Sequence, residues 1–400
     1  MNGTSTRRVK VESGGTGVVS HVGLHALGSF ADRLGLGDSI SSAIPQRPTL
    51  IHDRGKVIVQ TALVLAGGGE SCADIEHLRA EEALFGFVAS DSTVHRAFHE
   101  ISTETRAAIA AEVASVRAEV WERSQVTKSG PVYLDIDASL VEIHSENKSG
   151  AAATYKGGYG FHPMFCFADA TGEALAGILR PGNAGSNTAA DHVAVLDAAI
   201  SQLPADVEAG HHDGDDPGLV WREVVCRTDS GGTTAAFTKA LRARNIGFFT
   251  SAMTNNQVQA AILDAIGIKE VWTPAITIDG KERVSGSVTE LTSLVDLSGF
   301  PIGTRLIVRR EPLHPGASAE PDRLPPLSVG PLHPSARIRP SLENQTVQRQ
   351  VLSEHSNSCP SNGTERKSRS KPSRAAALMA PDPGAWCAHR RHVLRCRAVS

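Results

Sequence analysis

Aromatic residues are scarce in this 400-residue chain, at 4% of positions. No apolar run approaches the roughly 18 residues that a membrane-spanning helix needs. No apolar stretch follows Arg7 and Arg8 in the manner of a secretory leader, so a cytoplasmic protein is expected. The six cysteines form no Cys-x-x-Cys pair, which argues against a zinc site or a disulfide framework. They read as small core thiols or loose tail thiols. Nor is there a Gly-Lys-Ser/Thr ending to make a phosphate-binding P-loop, and no internal repeat is visible.

What is present is a normal apolar fraction, 40%, enough to bury a sizeable core. The net charge of −3 hides an asymmetry. From Pro312 onward there are 13 Lys and Arg against 6 Asp and Glu; the preceding residues carry 27 against 37. An acidic body is not what bulk charge predicts for a nucleic-acid enzyme, so any DNA contact must come from local patches.

Residues 1–17 are polar and Gly/Ser/Thr-rich and are expected to be a disordered lead-in. Residues 18–128 read as helical. Ile109, Val113, Val116 and Val120 share one helix face, and Ser71 caps a short helix carrying Ile75 and Leu78. In Ser90–Ile101, Val94, Ala97, Phe98 and Ile101 form one face, leaving Ser92, His95, Arg96 and His99 on the other. After the short turn at Phe85–Ala89, this pattern suits the recognition helix of a helix-turn-helix. An ordinary amphipathic helix of a bundle has the same pattern.

Beyond Gly130-Pro131 the rhythm changes. Strands are expected at Val132–Leu140, Gly160–Ala168 and Glu173–Arg180, then a helix at Thr188–Leu203. A strand at Leu219–Arg227, a helix at Thr233–Arg244 and a strand at Ile246–Thr250 follow. That order is the order of a ribonuclease-H-like fold, an α/β class with a mixed sheet. Short strands at Ala275–Ile278, Val284–Ser287 and Arg305–Val308 extend the core to residue 317. Residues 210–218, GHHDGDDPG, read as a solvated acidic loop or a metal site. The last segment, 318–400, holds most of the 12 prolines found after Glu311, lacks periodicity and is expected to be disordered.

Two segments carry chemistry. In YLDIDASL (133–140), strand alternation puts Asp135 and Asp137 on one face. Two carboxylates there repel each other unless a proton or cation lies between them, and Mg²⁺ with its oxygen ligands fits. A solvent-exposed acidic strand face would look the same. In CRTDSGG (226–232), Asp229 follows an apolar strand and precedes a helix, where open α/β sheets place ligands. A simple helix cap would look the same. Taken together, Asp137 and Asp229 would converge from neighbouring strands, able to share two metal ions that activate a nucleophile at phosphorus.

The stretches LDIDASLVEIHSENKSGAAATYKGGYGFHPMF, LAGILRPGNAGSNTAADHVAVLDAAI and RTDSGG resemble DDE transposases of bacterial insertion sequences, closest to an actinobacterial subgroup. The likeness spans about residues 18–317. It implies Mg²⁺-dependent strand transfer at terminal inverted repeats, with Asp137 and Asp229 as the first two catalytic acids and Asp135 a lesser claimant. Mn²⁺ would be expected to substitute. It also implies DNA as partner, an end-binding N-terminal region, and a homodimer on paired ends. Lys156, beside Gly157-Gly158, could meet a DNA phosphate or simply belong to a hairpin turn. Arg180 and Asn183 could touch DNA backbone or form an ordinary loop.

The resemblance also marks a departure. Relatives continue past a REPLHPGA-like segment into an aromatic-rich stretch and a helix bearing the third acid, a Glu. Here Glu320, Glu343, Glu354 and Glu365 stand in no convincing helix, so a frameshift near 316–320 is expected. A two-carboxylate chain would bind metal weakly, which leaves a catalytically inactive DNA-binding remnant as the alternative.

Overall fold

The computed structural model describes residues 21–45, 50–124, 129–144, 147–252, 254–277, 280–310, 327–329 and 397–399. The lead-in expected at 1–17 lies outside these, as does most of the tail expected at 318–400. By their contacts the described residues divide into two compact units, one ending at Val120 and one beginning at Trp121.

The described part of the first unit is helical. It comprises α1 (Val22–Arg33), α2 (Leu36–Ala43), α3 (Arg54–Ala66), the single turns α4 (Glu76–Arg79) and α5 (Glu82–Phe85), α6 (Asp91–His99) and most of α7 (Thr103–Arg123). Asp53 caps α3 by accepting from the Lys56 amide. Ser71, expected to cap a short helix carrying Ile75 and Leu78, opens a 3-10 turn (Cys72–Ile75) that leads into α4, and Asp74 accepts from the Ser71 amide at 2.8 Å. The core of the unit gathers Val57, Leu63, Val64, Ile75, Leu78, Val88, Val94 and Ala97. Arg54, buried, pairs with Glu100 at 2.8 Å.

The second unit is built on a strand whose alternation is complete. β1 (Val132–Ala138) buries Val132, Leu134 and Ile136 and turns Tyr133, Asp135 and Asp137 to a half-exposed face. The expected second strand is two, β4 (Tyr159–Phe161) and β5 (Met164–Ala168), separated at His162-Pro163 because proline has no N–H to continue a ladder. Before them β2 (Val141–Glu142) and β3 (Ala152–Ala153) flank β4 in a small sheet of their own. β6 (Ala174–Ile178), α8 (Ala189–Ile200), the single turn α9 (Ala205–Glu208), β7 (Val224–Thr228), α10 (Ala235–Ala243) and β8 (Gly247–Thr250) follow. The strand order is β6–β5–β1–β7–β8, with β5 antiparallel to its neighbours and β1, β7 and β8 parallel. That is a ribonuclease-H-like mixed sheet. α8 and α10 cover one of its faces, packing Val195, Leu196, Ile200, Phe237 and Leu241 against the inward side chains of β1, β5 and β7.

A helix absent from the sequence reading, α11 (Asn256–Ile266), follows, capped by Asn255. Its buried Val258, Ala261, Ile262 and Ala265 pack a second core against Leu306 and Val308 of β11 (Arg305–Arg310). β9 (Thr273–Ile276) and β10 (Glu282–Glu290) continue the sheet beside β11. Two short strands from the tail, Leu327–Val329 and Arg397–Val399, pair with β11, the latter also with β8. Among the described residues, no helix is long and apolar enough to cross a membrane.

The residues 210–218 are not simply solvated. His211 is fully buried, its Nδ1 3.0 Å from the Arg244 carbonyl and its Nε2 2.8 Å from the Arg222 carbonyl, so it staples the loop to the core. Cys166 and Cys226 are core thiols, and burial pushes both well above the ordinary thiol range, which makes them inert.

Leu134 is fully buried at the centre of the sheet. Leu134→Ala is expected to cost about 2–5 kcal/mol in urea unfolding. Ile302→Ala, at a side chain 98% exposed, should stay within about 0.5 kcal/mol.

Candidate functional site

The parallel pairing of β1 with β7 runs in register from Val132 opposite Val224 to Ile136 opposite Thr228. One step further along both strands stand Asp137 and Asp229. Asp137 lies near the end of β1 and Asp229 directly after the end of β7, both at the carboxyl ends of adjacent parallel strands, where open α/β sheets bind ligands. Asp137 is half-buried, and its Oδ1 accepts from the Ala138 amide at 2.8 Å. Asp229 is exposed and caps a 3-10 turn, Oδ1 accepting from the Gly231 amide at 2.8 Å. Capping and site position thus coexist, and only one oxygen is engaged by the cap. The Asp229 carbonyl accepts from the Thr250 hydroxyl at 3.1 Å, which ties the turn to the end of β8. Thr228 donates to the same hydroxyl at 3.0 Å.

One rung inward lies a different arrangement. Asp135 faces Arg227 across the strands, and both of its oxygens accept from the guanidinium at 2.6 Å. Arg227 also donates to Asp169 at 2.6 Å and lies 5.3 Å over the Tyr133 ring. Burial works against its charge, but Asp135 and Asp169 outweigh burial and hold the guanidinium well above its ordinary value. Asp135, a candidate metal ligand by sequence, has both oxygens committed to a permanent cation.

Behind Asp229 sits His192, on the first turns of α8 and buried. Its Nδ1 lies 2.9 Å from the Thr188 carbonyl and its ring 5.0 Å from that of Phe237. Burial, and after it the Arg180 charge, hold its pKa below the ordinary imidazole value despite the opposing pull of the Thr188 carbonyl and of Asp229 and Asp191. No local pattern marks His192 in the sequence.

Arg180 is buried rather than presented to solvent. Its Nε donates to the His162 carbonyl at 3.0 Å, and its Nη1 to the Gly185 carbonyl and to Asp191 at 2.9 Å each. It anchors the loop 181–188, which passes close over the Asp229 turn. A Cβ on Gly231 would lie 2.6 Å from the Ser186 carbonyl, so glycine is required there. Asn183 is exposed on the same loop. Lys156 is exposed at the β3–β4 turn.

In the first unit, α6 presents Ser92, His95, Arg96 and His99 to solvent and buries Val94 and Ala97. The His95 and His99 rings stack at 6.2 Å, and Arg96 donates to Thr93 at 3.2 Å. Phe98, expected on the inner face, is 43% exposed.

Among the described residues no group of three or more His, Cys, Asp or Glu side chains is arranged to hold a metal ion. The Asp137–Asp229 pair still fits a hard divalent cation, since Mg²⁺ commonly takes one or two carboxylates and completes its shell with water and phosphate oxygens.

Two outcomes are expected. Arg227→Ala leaves Asp135 without its cation and should cost on the order of 2 kcal/mol in denaturant unfolding, less than for a fully buried pair because the site is partly open. In Asp135→Asn the same Arg227→Ala change should cost less, giving a measurable coupling in the double-mutant cycle. His192 stays neutral in the folded chain to lower pH than in the unfolded one. The unfolded chain therefore takes up the proton first as pH falls through about 6.5, and stability declines. His192→Gln should flatten that part of the stability profile, read as thermal midpoints between about pH 7 and pH 5.

Residues 1–316 match the family model described as transposase DDE domain group 1. No curated protein matches the chain. Among solved structures, one titled the Mos1 strand transfer complex is similar over 56% of this chain and 68% of its own, at 12% identity and a TM-score of 0.18. So loose a superposition carries no weight, and the fold rests on the strand order. The family match takes in Asp137, Asp229 and most of the chain: the protein belongs to the transposase DDE domain group 1 family.

Proposed function

We propose that this chain is the DNA transposase of a bacterial insertion sequence, cleaving and joining strands at terminal inverted repeats in a Mg²⁺-dependent reaction. The observation that carries the reading is the parallel register of β1 and β7 up to Ile136 opposite Thr228, after which each chain segment places an aspartate next, Asp137 and Asp229. Asp137 and Asp229 are the metal ligands in this account, and Arg227 keeps Asp135 out of the ligand set. Bound there, Mg²⁺ supplies positive charge to the phosphate oxygens and eases deprotonation of the attacking water or 3′-hydroxyl. The cap on Asp229 and the Thr250 hydroxyl fix the backbone that carries one ligand; β1 fixes the other.

The exposed face of α6, with Ser92, His95, Arg96 and His99, is assigned to the DNA ends, and Lys156 to a phosphate. Duplex DNA is the partner, and a homodimer on paired ends, working in the cytoplasm, is the functional form. The third acid belongs to a reading frame downstream of residue 317.

A second reading has its own support in the lack, among the described residues, of a third ligand beside the pair. On that reading the chain binds DNA ends without cutting them. Duplexes cut from the DNA flanking its own reading frame, incubated with the protein and Mg²⁺ or Mn²⁺, separate the two. The proposed function predicts metal-dependent 3′-end nicking, lost by at least about 100-fold in Asp137→Asn and Asp229→Asn with binding kept. Binding without nicking supports the second reading, and neither binding nor nicking contradicts both.

A further inference from the structure

The small sheet β2–β4–β3 follows directly on the Asp137 end of β1 and ends in a tight turn between β3 and β4. The turn is locked. The Thr154 amide donates to the Gly158 carbonyl at 2.8 Å, the Gly157 amide to the Thr154 carbonyl at 3.0 Å, and the Gly158 amide to the Thr154 hydroxyl at 3.0 Å. Gly157 takes φ +84°, a conformation that favours glycine. On this fixed tip Tyr155 is 72% exposed. Burying so large a ring would ordinarily stabilise the fold, and here most of that gain is forgone.

The ring is nevertheless braced. The Tyr155 and buried His162 rings lie 6.2 Å apart, and His162 Nδ1 lies 2.9 Å from the Ala184 carbonyl. The Lys156 ammonium sits 5.6 Å from the centre of the Tyr155 ring. The loop that holds His162 is the one anchored by Arg180. At one end it is joined to the hairpin, since the Gly182 amide donates to the Gly160 carbonyl at 3.0 Å and a Cβ on Gly182 would lie 2.4 Å from the Ala152 carbonyl. At the other end Ser186 closes over Gly231 beside Asp229. A single braced loop thus connects the aromatic tip to the turn that carries Asp229.

We propose that Tyr155 is a stacking platform for one unpaired nucleobase of the DNA strand entering the Asp137–Asp229 site, with Lys156 holding an adjoining phosphate. The inference rests on the proposed function. An exposed ring on a hydrogen-bonded turn, with a cation beside it, matches what a splayed base offers, a flat π-face next to a negative backbone. Bases inside a duplex have both faces covered by their neighbours, so the occupant is a base already unstacked, as at a nicked or frayed strand end.

The test uses the full chain and duplexes with a short 3′ overhang, carrying 2-aminopurine at one overhang position at a time. The proposal predicts a fluorescence change on binding at one position. That change should be lost in Tyr155→Leu, with affinity for the overhang duplex about tenfold weaker, and kept in Tyr155→Phe and Tyr155→Trp. Blunt duplex binding should be unaffected by Tyr155→Leu, while Lys156→Ala should lower the salt slope of binding by about one. Wild-type binding with the same fluorescence in Tyr155→Leu overturns the platform and leaves the proposed function standing. No binding of any DNA by the wild-type chain overturns both.

Discussion

Parallel pairing of β1 with β7 brings two carboxylates from positions far apart in the chain to the carboxyl ends of neighbouring strands. The register that sets Ile136 against Thr228 has Asp137 and Asp229 as the next residues of the two segments. Slipping that register by one residue would turn one of the two aspartates into the core and bring Leu134 or Cys226 out of it. The buried faces of β1 and β7, packed under α8 and α10, therefore fix the site as firmly as they fix the fold.

The rung inward of Asp137 and Asp229 resolves a problem of charge. A strand bearing both Asp135 and Asp137 on one face concentrates negative charge, and Arg227 with its two-pronged hold on Asp135 cancels the inner half of it. Beyond it, toward the carboxyl ends of the two strands, stand Asp137, half-buried, and Asp229, exposed. Arg180 acts similarly one layer out, taking three acceptors to fix a loop that would otherwise have few constraints. The Thr228–Thr250–Asp229 hydroxyl contacts close the other side, tying β7, β8 and the Asp229 turn together.

Much of this is legible in the amino-acid pattern. The two-residue period of Val132–Ala138 gives both the strand and the shared face of Asp135 and Asp137. The order of strands and helices from 132 to 250 gives the ribonuclease-H-like sheet. α11 carries its own signal, Asn255 as cap and apolar residues at 258, 261, 262 and 265, and could have been read. The division of 160–168 into two strands follows from Pro163. Arg227 with Asp135 is another matter, since the partners are 92 positions apart and only the register joins them. His211 and His192 are hidden for the same reason. Their carbonyl and ring partners come from tertiary packing, and local composition made residues 210–218 look like solvated loop or metal site. Exposure of Phe98 shows the limit of helical periodicity, which gives the side of a helix but not the depth of its neighbours.

The most direct measurement is localisation of the metal itself. Iron(II) loaded in place of Mg²⁺, with ascorbate and peroxide, cuts the polypeptide backbone beside the residues that bind it. The account predicts cuts next to Asp137 and Asp229, suppressed by Mg²⁺ and abolished by Asp137→Asn with Asp229→Asn, and unchanged by Asp135→Asn. Cuts centred on residues 210–218, or dependent on Asp135, would contradict it.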